Sequence, residues 1–229
     1  MSHLVAVSPH LDDAAFSAGG LLAAHARAGG RVTIVTCFTG NVARPSGFAL
    51  ACQLDKGLAP DVDYMALRRA EDSAACAVIG AEPVHLPFLE APHRGYASAR
   101  DLFGPRRADD TMVDQLAPAL ATLLDRLAPD LLLGPLALGD HVDHWVVRDA
   151  LARGGRAVLL WEDWPYLDRP GVVAGEPRCR VALDDELRAR RIAMCGAYPT
   201  QLGFQFGGHA AMAARIDSIT EERFHDPAG

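Results

Sequence analysis

The chain has 229 residues, 50% of them hydrophobic, which is enough for one sizeable core. Its formal net charge is −7 and its 22 lysines and arginines form no stripe or tail, so we expect no nucleic-acid partner. The first apolar run begins almost at Met1, and no run reaches the roughly 20 residues of a membrane span. We therefore expect no membrane partner and a cytoplasmic location. The five cysteines form no CxxC pair, which indicates reduced thiols.

Predicted strands and helices alternate along most of the chain. In the first half of the chain the pattern predicts a strand over 3–7, a helix over 14–28, a strand over 31–38, a long loop, a helix over 63–79, a strand over 84–86 and a loop over 88–108. In the second half it predicts a helix over 109–127, a strand over 130–134, a helix over 143–153 and a strand over 157–161. An irregular stretch over 162–177, a strand over 179–183 and a helix that begins at Asp184-Asp185 follow.

Near-continuously apolar strands alternating with helices predict a mainly parallel sheet that is covered on both faces. The expected fold is therefore α/β, a Rossmann-like three-layer arrangement. No GxGxxG follows the first strand, so the dinucleotide-binding fingerprint is missing. No linker or internal repeat divides the sequence, and we expect a single domain over 1–229. Loops as long as 88–108 are commonly functional, and this one is expected to face the substrate.

Two histidine-aspartate clusters each follow a predicted strand. They comprise His10, Asp12 and Asp13 after the strand 3–7, and His141, Asp143 and His144 after the strand 130–134. Ligand sites of open α/β sheets form at the carboxyl ends of the strands, so both clusters are expected at one edge. His10, Asp13 and His144 would give three nitrogen and oxygen ligands with an open fourth position, as catalytic zinc requires.

The remaining residues of the clusters suit proton transfer. Asp12, a carboxylate beside the metal that does not bind it, is the expected general base. His141 is expected to act as general acid or to stabilise an oxyanion, with Asp143 orienting its ring. Taken alone, Asp12 or Asp13 is a preferred helix N-cap residue. The same pattern at two strand ends instead favours a metal-dependent hydrolase.

The clusters match a known family. Pro9-His10-Leu11-Asp12-Asp13 resembles the PHxDD signature of the LmbE-like (PIG-L) de-N-acetylases, and His141-Val142-Asp143-His144 resembles their HxDH segment. Arg68-Arg69-Ala70-Glu71 is similar to the family's RxxE helix, and Tyr198-Pro199-Thr200-Gln201 resembles its late aromatic-x-[ST]-Q segment.

The resemblance implies a Zn²⁺-dependent amidohydrolase that removes an N-acetyl or other N-acyl group from a glucosamine-containing small molecule or conjugate. It gives His10, Asp13 and His144 as zinc ligands, Asp12 as base and His141 as acid or oxyanion partner. Arg68, at the RxxE position, is expected to contact the substrate, and Asp101 is expected to bind sugar hydroxyls. From its place in the loop 88–108, Arg94 would suit an anionic group of the substrate.

The sequence departs from the family pattern at three positions. Leu11 and Val142 replace prolines, which would fix a turn rather than perform chemistry. Gly139 lies where some members carry a mobile tyrosine. Either Tyr96 replaces that tyrosine, or the oxyanion relies on zinc and His141 alone.

Two other functions compete with the deacetylase. The resemblance also admits a metal-dependent hydratase of a small unsaturated dicarboxylic acid. A non-catalytic metal-binding protein is the third, although a spare carboxylate at Asp12 would have no use there. The acyl group, the aglycone, the native metal and a possible homo-oligomer stay open.

Overall fold

The computed structural model describes residues 1–227, which contain one seven-stranded sheet and nine α-helices. The strands are β1 (His3–Ser8), β2 (Arg31–Thr36), β3 (Glu82–His85), β4 (Leu131–Pro135), β5 (Leu159–Trp161), β6 (Cys179–Ala182) and β7 (Glu221–His225). The helices are α1 (Asp13–Arg27), α2 (Gly47–Leu54), α3 (Tyr64–Ala77), α4 (Ala99–Leu102), α5 (Met112–Leu127), α6 (Val142–Arg153), α7 (Asp185–Gly196), α8 (Pro199–Phe206) and α9 (His209–Asp217).

The strand order is β3-β2-β1-β4-β5-β7-β6, and β7 alone runs opposite to the other six strands. From β1 the chain builds one side of the sheet through β2 and β3, and then returns to build the other side from β4. The gap between the carboxyl ends of β1 and β4 is the switch point at which ligands bind in such sheets. The predicted α/β fold with a mainly parallel sheet is confirmed.

Alternation along β1 divides the core into two layers. Leu4 and Ala6 pack into a buried cluster with side chains of α1, α7 and α9. Val5 and Val7 point to the other face and pack with α5 and α6. Because both faces of β1 are covered by helices, every residue of the strand is buried. The rigid strand therefore presents the turn that follows it at a fixed place.

Several elements differ from the sequence-based expectations. The stretch predicted as a long loop contains α2, and the loop 88–108 contains α4 and a 3₁₀ turn at Ala91–Arg94. A second 3₁₀ turn, Tyr166–Asp168, lies in the stretch expected to be irregular. Strand β7 was missed because its sequence, EERFH, is mostly charged rather than apolar.

No helix of residues 1–227 combines the length and the apolar character needed to cross a membrane. The expectation of a single domain over 1–229 stays a prediction, and its last two residues lie outside the described ones.

Strand β7, next to the edge strand β6, carries a buried carboxylate that ties the sheet to α1. Glu222 accepts hydrogen bonds from the backbone N–H groups of Gly20 (2.7 Å) and Leu21 (2.8 Å). Its Oε1 lies 3.4 Å from Nε of Arg191, and both side chains are almost fully buried. Because a Cβ on Gly20 would lie 2.9 Å from that same oxygen, only glycine allows this approach.

We predict that Glu222→Ala lowers the free energy of unfolding by about 3–5 kcal/mol, because it leaves the buried Arg191 charge without a partner. Urea denaturation followed by circular dichroism measures this. The neighbouring Glu221, whose ion pairs with Arg180 and Arg223 are exposed to solvent, provides the control, since Glu221→Ala should lower the free energy of unfolding much less. Equal losses in the two variants would contradict the assigned role of Glu222.

Candidate metal centre

The turn between β1 and α1 carries His10, Asp12 and Asp13, and Ser8 shapes it. The Ser8 hydroxyl donates to the carbonyl oxygen of His10 (2.7 Å) and accepts from the backbone N–H of Ala14 (3.1 Å). The backbone N–H of His10 in turn donates to Oδ2 of Asp13 at 2.9 Å. These bonds tie the end of the strand to the first turn of the helix, so the His10 and Asp13 side chains are held together.

The structure brings His10, Asp13 and His144 together as the sequence predicts. One ligand atom from each of the three buried residues lies within 4.8 Å of the other two. Oδ2 of Asp13 is 3.1 Å from Nδ1 of His10 and 3.3 Å from Nε2 of His144. Asp13 therefore links the segment that follows β1 to the helix that follows β4.

The surroundings of one ring nitrogen in this group show whether a metal ion fits. Nε2 of His144 is buried, and within residues 1–227 its 3.3 Å approach to Oδ2 of Asp13 lacks the geometry of a hydrogen bond, so the atom has no hydrogen-bond partner there. A buried ring nitrogen without a partner costs free energy, and a metal ion would satisfy it. With two imidazoles and one carboxylate converging, the donor set fits a divalent metal ion.

A carboxylate holds the far nitrogen of each histidine. Nε2 of His10 lies 3.0 Å from Oδ2 of Asp143, and Nδ1 of His144 lies 2.7 Å from Oδ1 of Asp163. Such contacts fix the tautomer and ring direction of metal-binding histidines. The Asp143 carboxylate thus contacts His10, whereas it is the backbone N–H of Asp143 that contacts the His141 ring.

A second group of buried donors consists of His10, His141 and Asp143. The Asp143 oxygens of this group are already engaged. Oδ1 accepts from Nη1 of Arg94 at 2.7 Å, and Oδ2 accepts from the backbone N–H of Ala91 at 3.0 Å. The group that contains the unpartnered nitrogen of His144 is thus the better candidate.

Asp12 lies beside the metal donors and outside that donor set. Its Oδ1 is 3.4 Å from Nη2 of Arg68, and its Oδ2 accepts from Nε2 of Gln205 at 3.1 Å. Burial raises the pKa of Asp12 to about 6, although the nearby Arg68 charge opposes the shift and Asp13 reinforces it. A carboxyl group with such a pKa can both accept and release a proton near neutral pH.

Arg68 lies in the cleft wall and is 4% exposed. Its Nη1 donates to Oε1 of Glu90 at 2.7 Å, while Nη2 faces Asp12. The sequence predicts a substrate contact for Arg68. The contacts in the structure add a second task, which is to hold the Asp12 carboxylate in place.

His141 is the N-cap of α6. Its Nδ1 accepts from the backbone N–H of Asp143 at 3.2 Å, which leaves the ring proton on Nε2 in the neutral tautomer. Burial, together with the nearby His10, holds the pKa of His141 well below its usual value. A neutral imidazole with a protonated Nε2 is a hydrogen-bond donor, which favours the oxyanion role over that of a general acid.

Two residues expected to bind substrate lie elsewhere. The Arg94 guanidinium donates to the Leu89 carbonyl, Asp143 and Asp110, so its charge is already neutralised. The Asp101 carboxylate accepts from the backbone N–H of Ala97 within its own loop. Neither Arg94 nor Asp101 is among the described residues that line the cleft, and the substrate contacts expected of them stay predictions.

Tyr96 does not take the place of the family's mobile tyrosine. It is 1% exposed, and its hydroxyl donates to Asp110 at 2.8 Å, away from the metal donors. Tyr166 instead covers Gly139, because a Cβ at that glycine would lie 2.8 Å from Cβ of Tyr166. The Tyr166 ring centroid is 5.1 Å from that of His144 and 6.0 Å from that of His141.

The site opens into a cleft of about 680 Å³. His10, Asp12 and His141 line its catalytic end, and Tyr166 lines it too. Other walls are mainly apolar and aromatic, with side chains from the segment that includes α2, from α8 and from the loop 88–108: Val42, Pro45, Phe48, Leu102, Phe103 and Phe204. Leu102 and Phe103 belong to the loop 88–108, and the expectation that this loop faces the substrate stays a prediction.

Comparison with known proteins agrees with this geometry. Residues 5–153 match the family model described as PIG-L, GlcNAc-PI de-N-acetylase. The chain belongs to this family. It is 37% identical over 181 residues to 2'-N-acetylparomamine deacetylase from Streptomyces fradiae, and that match covers 77% of this chain and 62% of the relative. The match thus spans less than two thirds of the relative's length.

Other relatives match along more of their length. A 1D-myo-inositol 2-acetamido-2-deoxy-alpha-D-glucopyranoside deacetylase from Corynebacterium glutamicum is 29% identical, with 88% of this chain and 75% of the relative covered. The crystal structure of the zinc-inhibited form of teicoplanin deacetylase has a TM-score of 0.83 and 26% identity, with 98% and 97% covered. These relatives are hydrolases of an acetamide, and the predicted family is confirmed.

The structural match to a hydratase is weaker than the matches to the deacetylases. The 4-carboxy-2-hydroxymuconate hydratase from Pseudomonas putida matches with a TM-score of 0.61 and 19% identity, covering 100% of this chain and 97% of the hydratase. This likeness concerns the fold alone.

Sequence reasoning missed Asp163 and Tyr166. Asp163 lies two residues beyond β5, the strand next to β4, and an acidic residue directly after a predicted strand was the available signal. Tyr166 gave no comparable signal, because its position over Gly139 depends on how the chain turns back after β5.

We predict that Asp163→Ala lowers zinc affinity by about 10- to 100-fold, because the His144 ring loses the partner that orients it. Competition with a chromophoric chelator measures the affinity. Asp168→Ala is the control, because the Asp168 carboxylate binds Arg215 and touches no metal donor. Wild-type affinity in Asp163→Ala would contradict this assignment.

Proposed function

We propose that the protein is a zinc-dependent amidohydrolase that removes an N-acetyl or other N-acyl group from a glucosamine-containing small molecule or conjugate. The observation that carries the proposal is the buried Asp12 carboxylate beside three converging metal donors at the end of an open cleft. Membership of a family whose named relatives are deacetylases supports the choice of reaction.

His10, Asp13 and His144 would hold the metal, for which we propose zinc because histidine and carboxylate are among its usual ligands. When bound, the metal supplies Lewis acidity, which polarises an acyl carbonyl and makes water a better nucleophile. Asp143 and Asp163 keep the two imidazoles directed toward it through the bonds described above.

Asp12 is the proposed general base. Its carboxylate takes a proton from the attacking water and later delivers it to the nitrogen of the departing amine. Gln205 and Arg68 hold the two oxygens of Asp12 from different sides. The Arg68 charge counteracts the effect of burial and thereby keeps enough of Asp12 ionised to accept the proton.

His141 and Tyr166 are the proposed donors to the oxygen that becomes negative when the carbonyl is attacked. His141 offers Nε2–H. Burial and the charges of Asp13 and Asp12 raise the pKa of Tyr166 well above its usual value, so the phenol keeps its proton. The Tyr166 hydroxyl makes no hydrogen bond within the described part of the chain, and it is free to donate to a ligand.

The hydratase remains the second candidate. Hydration of an unsaturated diacid requires the same water activation, but it releases neither acetate nor amine. A mass-spectrometric panel of N-acetylglucosaminides and unsaturated diacids separates the two reactions. The cytoplasmic location and a possible homo-oligomer also stay predictions.

For the base, we predict that Asp12→Ala retains the bound metal but loses activity by at least about 10²- to 10⁴-fold, because only proton transfer is removed. Elemental analysis gives the metal content, and acetate release gives the rate. In His144→Ala, by contrast, the metal content itself should fall. Full turnover by Asp12→Ala would rule out the proposed mechanism.

For the oxyanion donor, we predict that Tyr166→Phe lowers kcat by about 10²- to 10³-fold with a smaller change in KM, because the hydroxyl acts mainly in the transition state. Tyr96→Phe is the matched control, since it removes a buried hydroxyl that lies outside the cleft. If kcat of Tyr166→Phe were no lower than kcat of Tyr96→Phe, the Tyr166 hydroxyl would have no catalytic role.

A further inference from the structure

Lys56 is the only lysine in the chain, and all the other residues counted with it as basic are arginines. It follows α2 and lines the same cleft as Asp12 and His141. A lysine presents three rotatable donors on a compact charge, whereas arginine presents a planar fork. The single lysine thus puts a different kind of cation into the part of the cleft beyond the catalytic end.

The ammonium group of Lys56 has no carboxylate partner among the described residues. Within residues 1–227, no carboxylate lies at ion-pair distance from Nζ, and its one hydrogen bond runs to the carbonyl oxygen of Cys52 at 3.0 Å. Nζ lies 5.0 Å from the ring centroid of Phe204 and 5.6 Å from that of Tyr64. Two of its three N–H donors therefore make no hydrogen bond to the described chain, and the half-buried side chain can present them to a ligand in the cleft.

The nearest charged side chains do not balance the positive charge of Lys56. Burial lowers the pKa of Lys56, and the like charge of Arg68 lowers it further. The carboxylates of Glu90 and Asp12, which oppose the shift, are themselves paired with Arg68. An anionic ligand group at Nζ would balance the positive charge of Lys56. The apolar walls of the cleft would strengthen the attraction between that anion and the ammonium group.

The cleft offers little to a positively charged ligand. Four of the carboxylates that line it are already paired with arginine side chains: Asp12, Glu90, Asp143 and Asp168. Among the described lining residues this leaves Asp55, which is exposed. Arg169 also lines the cleft and has no carboxylate partner in the described chain. Its guanidinium stacks on Phe103, with 3.6 Å between Cζ and the ring centroid.

We propose that Lys56 forms a subsite for an anionic group, a carboxylate or a phosphate, on the part of the substrate that lies beyond the acetamido sugar. This rests on the proposed deacetylase function and narrows its substrate class to acidic conjugates rather than polycationic aminoglycosides. The alternative task for Lys56 is structural, because its bond to Cys52 satisfies a carbonyl at the end of α2.

The kinetic test uses zinc-loaded wild type and Lys56→Met with three phenyl N-acetylglucosaminides, supplied as both anomers. Their phenyl rings carry a neutral hydroxymethyl, a carboxylate or a phosphate group. For wild type, we expect kcat/KM to be at least about tenfold higher for one anionic compound than for the neutral one. The preferred compound shows whether the subsite takes a carboxylate or a phosphate. Lys56→Met should lose the preference but keep the neutral rate, and Lys56→Arg should restore part of it.

Because the chain holds one lysine, binding can be observed without turnover. Protein labelled with [ε-¹³C]lysine gives a single lysine ε-CH₂ signal in a ¹H–¹³C correlation spectrum. In zinc-loaded Asp12→Ala, we expect the preferred anionic glucosaminide to shift this signal and to bind about tenfold more tightly than the neutral compound.

The outcomes separate the two proposals. Equal kcat/KM values for all three compounds in wild type, or an equal loss of all three rates in Lys56→Met, would overturn the subsite and leave the deacetylase intact. If no glucosaminide lost its acetyl group, the proposed function would fail instead. The lysine signal would then decide the subsite on binding alone, and a signal unmoved by either anionic compound would overturn it.

Discussion

Four buried carboxylates at one edge of the sheet are the constraint on which the site depends. Asp12, Asp13, Asp143 and Asp163 are each at most 4% exposed, and all lie around the switch point between β1 and β4. Such a concentration of negative charge in a poorly solvated place is unstable unless cations accompany it. The arrangement of histidines and arginines around these carboxylates follows from that requirement.

Each carboxylate receives a different partner, and its role depends on that partner. Asp13 faces two imidazoles and keeps a pKa well below its usual value despite burial. Asp143 faces Arg94 and His10 and likewise stays ionised, while Asp12 shares Arg68 with Glu90 and has a pKa of about 6. Burial raises the pKa of Asp163 too, but among the described residues that line the cleft Asp12 is the carboxylate with a raised pKa, which positions it for proton transfer. A divalent metal beside Asp13 would complete the balance of charge.

Much of the site could be predicted because local sequence encodes it. The turns after β1 and β4 directly follow apolar strands, and the spacing within each turn places His10, Asp13 and His144 together. The partners of these residues could not be predicted in the same way. Asp163 comes from a third strand, so its contact with His144 depends on the order of strands in the sheet. Arg94 and Asp101, loop residues of suitable chemistry, bind other parts of the chain, and the sequence does not reveal these contacts either.

The fold was predictable for a similar reason, and its exceptions have a physical basis. Apolar strands such as β1 reveal themselves by composition, whereas β7 is charged and joins the sheet through the buried pair of Glu222 and Arg191. Helix α2, which precedes Lys56, lies in a stretch that we expected to be a loop. A single sequence conceals β7 because a specific tertiary pair rather than apolar patterning stabilises it, and it conceals α2 because eight residues are too few to show a helical period.

The central claim is that His10, Asp13 and His144 hold the catalytic metal, with Asp143 and Asp163 behind the two histidines. Crystals of the zinc-loaded protein, measured on both sides of the zinc absorption edge, test it most directly. The account predicts one anomalous peak bonded to Nδ1 of His10, a carboxylate oxygen of Asp13 and Nε2 of His144. A peak bonded instead to Nε2 of His10, His141 and Asp143, or no peak at this edge of the sheet, would contradict it.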